Sequence, residues 1–132
     1  MSEEEELRAI RERKAQELMN MSKPEGGKGP IEINDQNLQQ VIEGNSKLVI
    51  DCWAPWCGPC RMLTPVLEQL ATEMNDVTFA KLNTDENPQA AMAFNIMSIP
   101  TLLFFKDGNM VERTVGALPK SVVQDTINKS LV

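Results

Sequence analysis

The stretch Trp53-Ala54-Pro55-Trp56-Cys57-Gly58-Pro59-Cys60 decides how the rest of the chain reads. It holds both tryptophans and two of the three cysteines. Two thiols separated by two residues can close a small disulfide ring and reopen it. That is the redox version of the spacing, as opposed to half of a metal site, provided a strand precedes it and a helix follows in a mixed α/β chain. The flanks meet this condition. Leu48 to Ala54 is a near-continuous apolar run, as expected for a strand buried on both faces. Beyond the pair, Met62, Val66, Leu67, Leu70 and Met74 recur at helical spacing and predict a helix from about Cys57 to Met74. Pro65 removes a backbone donor in its interior and is expected to kink it.

Further out the pattern alternates. On the amino-terminal side, Ile31-Glu32-Ile33 reads as a short strand. Asn34 or Asp35 then caps a helix with Leu38, Val41 and Ile42 inward, ending at Gly44. On the carboxyl-terminal side, Val77 to Leu82 is a strand and Asn87-Pro88 opens a short helix through Phe94. Pro100 precedes the strand Thr101 to Lys106. Asp107-Gly108 is a hairpin turn signal, with Met110 to Val115 returning. Pro119 starts a last helix with Val122, Val123, Ile127 and Leu131 facing in. The order β-α-β-α-β-α-β-β-α joins crossover units to one hairpin. It predicts an α/β fold, a central mixed sheet flanked by helices.

Two segments lie before this domain, which spans residues 31–132. Residues 2–21 read as a helix. Ser2 and Glu5 form a capping box, Glu3 to Glu6 suit the positive end of the helix dipole, and Leu7, Ile10, Leu18 and Met21 make a narrow apolar stripe interrupted by Lys14. It is either a charged extension of marginal helicity or a stripe that docks on the domain or a partner. Ser22 to Pro30, with three glycines and two prolines, is a linker. Residues 1–30 thus form an N-terminal helical extension.

Composition bounds the function. At 132 residues the chain is one domain with an appendage. Net charge is −6, and the first 23 residues hold six acids and five bases, so the acidity belongs to the body. An acidic body argues against nucleic acid as a partner. No run of about 18 apolar residues is present, which argues against a membrane span. The start Met-Ser-Glu-Glu-Glu-Glu lacks the pattern of a secretory signal and points to a cytoplasmic location. Three cysteines in a cytosolic chain suit a transient, catalytic disulfide better than a structural framework. Structural zinc normally takes four Cys or His ligands. This chain has no histidine and one spare, oppositely directed cysteine, so no metal site is expected.

The chemistry follows from position. A thiolate, not a thiol, attacks a disulfide. Cys57 falls at the first turn of its helix, where free N–H groups and the dipole stabilise an anion. It is the expected exposed nucleophile, and Cys60, one turn deeper, the resolving thiol. Gly58-Pro59 keeps the ring tight. Pro59 has no N–H to offer Cys57, which leaves the thiolate less stabilised and the dithiol a good reductant. Asp51, in the middle of Leu-Val-Ile-Asp-Cys-Trp-Ala, is expected to be buried with a raised pKa and to accept the Cys60 proton. The plainer alternative is that it bonds a neighbouring hydroxyl or backbone group. Lys81, in Ala80-Lys81-Leu82, is its expected ionic partner, the alternative being a solvated lysine at a strand end.

These residues resemble the thioredoxin family. Asp51-Cys52-Trp53-Ala54-Pro55-Trp56-Cys57-Gly58-Pro59-Cys60-Arg61-Met62 is similar to its active-site segment. Ala80-Lys81-Leu82-Asn83-Thr84-Asp85, Ile99-Pro100-Thr101-Leu102 and Val115-Gly116-Ala117 resemble its other landmarks in the same order, over roughly Ile31 to Val132. The resemblance implies a cis-proline at Pro100 beside the dithiol. It implies that Trp56, Ile99, Pro100 and Gly116, with Gly58 and Pro59 on the ring, meet an extended substrate segment that pairs with backbone. It supports Asp51 and Lys81 in the roles given above. It implies a monomer that reduces disulfide-containing target proteins with no cofactor beyond the Cys57–Cys60 disulfide. A reductase, flavin-type or ferredoxin-linked, would regenerate the dithiol. Cys52 departs from the family, which usually has an aromatic residue there. It alternates with Asp51 and so points to the other face of its strand, as a small buried apolar group or, alternatively, a regulatory thiol. A non-redox binding subunit, with helix 2–21 docking a partner, is the rival function, and the intact Trp-Cys-Gly-Pro-Cys stretch speaks against it.

Overall fold

A computed structural model describes residues 29–132. The helix expected over residues 2–21 and most of the linker lie outside the described residues.

The strands and helices fall in the expected order: β1 (Ile31–Ile33), α1 (Leu38–Gly44), β2 (Lys47–Trp53), α2 (Gly58–Glu73), β3 (Thr78–Asn83), α3 (Pro88–Ala93), β4 (Thr101–Lys106), β5 (Asn109–Val115) and α4 (Lys120–Ser130). The five strands form one mixed sheet in the order β1-β3-β2-β4-β5. β3 is parallel to both β1 and β2, while β4 is antiparallel to β2 and β5. The central strand β2 carries the apolar run, and Leu48 through Cys52 are all buried. Alternation divides these residues between two cores. Val49 packs with Leu63, Leu67 and Leu70 of α2, Phe79, Phe104, and Val123, Ile127 and Leu131 of the α4 end. Leu48, Ile50 and Cys52 pack on the other face with Ile33, Ile42 of α1, Ala90 of α3, Leu103 and Phe105. A strand sandwiched in this way has no polar face, so a charged residue within it sits in the core.

The hairpin between β4 and β5 turns at Asp107 and Gly108, both with positive φ (51° and 85°), as a two-residue turn requires. A register shift between Phe104 and Phe105 interrupts the ladder.

Four expectations change. α2 begins at Gly58, with Cys57 as its N-cap; Pro65 lies in its interior, as expected. Its buried side is Cys60, Leu63, Leu67, Leu70 and Ala71. Met62 is exposed, because that stripe runs one residue out of phase with the expected one. In α4, Val123 and Ile127 lie on the buried stripe, and Val122, about 100° round the helix, is exposed. Asn34 makes a turn ahead of α1, its Oδ1 accepting from the N–H groups of Gln36 (2.9 Å) and Asn37 (2.8 Å). Asp35 serves a different helix: its Oδ1 accepts from Ala90 N–H in the first turn of α3 at 2.8 Å.

Candidate active site

The site lies where β2 leaves the sheet and α2 begins. After Trp53 the chain turns, with Cys57 N–H donating to Ala54 C=O at 3.1 Å. Thr84, just past the neighbouring β3, holds this exit: its N–H (2.9 Å) and Oγ1 (3.1 Å) both donate to Trp53 C=O. Arg61 from α2 donates to Pro55 C=O at 3.1 Å. The turn is thus tied to the strand beside it and the helix after it.

Cys57 and Cys60 are joined as a disulfide, with Cα atoms 5.3 Å apart. Cys57 Sγ accepts a hydrogen bond from Cys60 N–H at 3.2 Å. This is how an N-cap side chain satisfies an orphan donor, and here the cap atom is the sulfur. Once the disulfide is reduced, that N–H and the dipole of a 16-residue helix favour a thiolate at Cys57. Pro59 gives no N–H, so Cys60 supplies the donor. Cys57 is 4% exposed and Cys60 2%, so the expected contrast between an open and a deep sulfur is slight in the disulfide state. Both pack with Ala54, Trp53 and Ile99, while Gly58 and Pro59 cover the ring at the surface.

Asp51 is fully buried and neither carboxylate oxygen has a hydrogen-bond partner. The plainer alternative, a bond to a neighbouring hydroxyl or backbone group, is therefore not what holds it. Asp51 shares the parity of Val49 and so lies on the face that carries α2, the helix whose buried side begins with Cys60. Burial pushes its pKa up to about 7, and the Lys81 charge pulls it back down in part. An isolated buried carboxylate is costly.

Lys81 sits opposite Asp51 in the β2–β3 register. No ion pair joins the two, contrary to expectation. The Lys81 ammonium instead lies over the Trp53 ring, 4.6 Å from its centroid. Lys81 and Trp53 also line a cleft of about 520 Å³ with Glu32, Asn83, Glu86 and Asn87. The lysine can therefore keep its head hydrated there while its charge still reaches Asp51.

Four of the expected groove residues are brought together in pairs: Pro100 with Gly116 through a backbone hydrogen bond, and Trp56 with Ile99 on the wall of one cavity. The Ile99–Pro100 peptide is cis. Pro100 is buried, and its C=O accepts from Gly116 N–H at 2.8 Å, joining two expected site residues. Gly116 has φ 101°, a conformation suited to glycine. Pro100 therefore offers a partner neither N–H nor C=O. Ile99 is the available backbone: among the described residues its N–H and C=O form no backbone hydrogen bond. Trp56 is 70% exposed and its Nε1–H donates to Asp85 Oδ2 at 2.8 Å, which fixes the indole beside the groove. Trp56, Thr84, Ile96, Met97, Ser98 and Ile99 line a cavity of about 390 Å³. Sequence reasoning missed Thr84 and Asp85 as supports. Both lie in the quoted stretch Ala80 to Asp85, but what they hold is far away in sequence. It also missed Ile96 and Met97.

Among the described residues there is no group of three or more His, Cys, Asp or Glu placed to hold a metal, and no helix long and apolar enough to cross a membrane.

A disulfide capping a helix at the end of a central strand, in a five-stranded α/β fold, defines a thiol–disulfide oxidoreductase. The thioredoxin family model matches residues 29–129. The chain is 49% identical over 94 residues to thioredoxin 1 of Synechococcus elongatus, which covers 70% of this chain and 88% of that one. It is 50% identical over 93 residues to a thioredoxin of Alicyclobacillus acidocaldarius, covering 70% and 89%. A mutant thioredoxin from Halobacterium salinarum is a structural neighbour with a TM-score of 0.75 and 35% identity, covering 81% of this chain and 95% of that one. The chain belongs to the thioredoxin family, and its activity is that of a protein-disulfide reductase.

Proposed function

We propose that this chain reduces disulfides in cytosolic proteins, with Cys57 as nucleophile, Cys60 as resolving thiol and Asp51 as proton acceptor. The Cys57 thiolate attacks a target disulfide. A Cys57–target bond forms, and the other target sulfur leaves with the electron pair and takes a proton. Cys60 then gives its proton to the Asp51 carboxylate and attacks the Cys57 sulfur. The second target sulfur leaves, and the Cys57–Cys60 disulfide remains. Two electrons have passed to the target. A thioredoxin reductase, flavin-type or ferredoxin-linked, returns the dithiol, and the chain itself uses no cofactor beyond the Cys57–Cys60 disulfide. Trp56, Gly58, Pro59, Ile99, Pro100 and Gly116 receive the target segment, and Lys81 tunes Asp51. The protein works as a monomer. A buried free thiol at Cys52 suits a reducing compartment.

The observation that carries this reading is a helix-capping disulfide on the face of the sheet that also holds an unpartnered buried carboxylate. The test is trapping. Cys60→Ser is expected to accumulate mixed disulfides with insulin, seen as a mass increase that dithiothreitol removes. Insulin carried instead on another cysteine of that variant would sink the assignment of Cys57 as nucleophile.

A further inference from the structure

The groove beside the disulfide does not end at Met97. A second cavity of about 310 Å³ is lined by Ala91, Met92, Asn95, Ile96 and Met97. It shares Ile96 and Met97 with the groove that Trp56 and Ile99 line, so the two form one surface. No charged side chain lines either. Met92 is 81% and Met97 85% exposed, unusual for large apolar groups outside an interface. We propose that Met92 and Met97 form a second, apolar subsite that takes an apolar side chain of the target segment, beyond the residues flanking the cysteine under attack.

The backbone beneath this subsite is fixed in advance. Asn95 adopts φ 53°, closing α3. Asn95 N–H donates to Met92 C=O at 3.0 Å and Ile96 N–H to Ala91 C=O at 2.9 Å. Arg113 reaches over from β5, donating through Nη1 to Asn95 C=O at 3.2 Å and through Nη2 to Phe94 C=O. These are carbonyls that a helix end leaves unsatisfied, and a guanidinium fork suits them. The turn that places Met92 beside Met97 is thus held by these four hydrogen bonds. The two thioethers above it stay adaptable, a combination that fits varied apolar side chains at low ordering cost.

Continuity with the exchange site identifies the occupant as the target chain itself. An extended segment lying on Ile99 advances about 3.3 Å per residue, so its further side chains are carried along the Ile96–Met97 ridge. The charge of the chain, −6, sets the preference: an acidic target side chain would meet an apolar wall on an acidic protein.

The proposal rests on the reductase reading, and the test separates the two. The reduced full-length protein is mixed with disulfide-closed Gly/Ser peptides in a stopped flow, and oxidation is followed by tryptophan fluorescence. One leucine is moved stepwise away from the target cysteine, and 2-hydroxyethyl disulfide serves as a substrate too small to reach the subsite. A leucine at a distant position is expected to raise the rate about fivefold, below the gain of one apolar group in a closed pocket, and aspartate there to lower it. Met92→Gln, at an exposed position, is expected to abolish that gain while leaving 2-hydroxyethyl disulfide turnover unchanged. No distant gain in the wild type, or one that survives Met92→Gln, overturns the subsite. A wild-type protein inert toward both substrates overturns the reductase reading beneath it.

Discussion

Asp51 and Cys52 are neighbours in β2, both fully buried, and they point to opposite faces of one sheet. On the Asp51 side lie α2 and the dithiol. On the Cys52 side lie α1, α3 and a closed apolar core. Burial raises the pKa of both, Asp51 to about 7 and Cys52 to about 12. For Cys52 the nearby Asp51 charge adds to burial and Arg113 opposes it. The same physical cause thus has opposite consequences. A carboxyl that titrates near neutral pH can take and return a proton during turnover, whereas a thiol held at about 12 stays protonated and inert. Burial of a titratable group makes chemistry only when the shifted value falls in the working range and a reacting group shares its face.

The largest break in the comparison is between thiols. Cys57→Ser is expected to reduce insulin-disulfide turnover by about 10³ or more, since it removes the proposed nucleophile. Cys52→Ser is expected to keep turnover. Equal loss in both variants would show that the inert face takes part in exchange.

Asp51→Asn comes next. The folded state binds the Asp51 proton more tightly than the unfolded state, where the carboxyl has its ordinary value of 3.8. Stability therefore falls as pH rises from about 4 to about 7 and is flat above, the total loss being roughly 4 kcal/mol. Asparagine removes that penalty but leaves a buried amide without partners, so roughly 2–4 kcal/mol of stabilisation is expected at pH 8. The gain should shrink toward zero by about pH 4. Denaturant titrations at several pH values read it, and a gain independent of pH would show that Asp51 does not titrate as described. Turnover should slow by roughly tenfold or more above neutral pH, where the proposed mechanism uses the carboxylate as acceptor, and less below it.

The sequence carried the frame of this site because its signals are local. An unbroken apolar run meant burial on both faces, and placed Asp51 in the core. The two cysteines at a helix start placed the N-cap sulfur. Asp107-Gly108 placed the hairpin. What was not legible depends on partners far away in sequence. Trp56 and Asp85 are 29 residues apart, and Asp35 and Ala90 are 55 apart. The Met62 error was one of phase: the apolar residues of α2 admit two stripes one residue apart, and packing against β2 selects the one with Leu63. Lys81 was read from its charge and its place in the neighbouring strand as a partner of Asp51; its charge does act on Asp51, but the ammonium lies over the Trp53 ring.

Lys81→Met sharpens that last point. Lys81 lowers the Asp51 pKa against the dominant effect of burial, so its removal is expected to raise it. The midpoint of the pH–rate profile should move to higher pH, with little change in the plateau. The variant also loses the contact over Trp53, about 0.5–1 kcal/mol. An unmoved midpoint would mean that the ammonium is too well hydrated in its cleft to act on Asp51.

The smallest effect is expected at Cys52. Cys52→Ala removes one sulfur from a core that includes Ile33, Ile50 and Leu103, and should cost roughly 1 kcal/mol as a small cavity. It should leave the pH–rate profile superimposable on the wild type, because a thiol protonated at every working pH carries no charge that Asp51 can feel. In the native protein Cys52 should resist iodoacetamide until denaturant unfolds the domain, while the reduced Cys57 reacts at once. A change in the Asp51 midpoint on Cys52→Ala would mean that the two faces of β2 communicate through the strand, and that the inert face belongs to the mechanism after all.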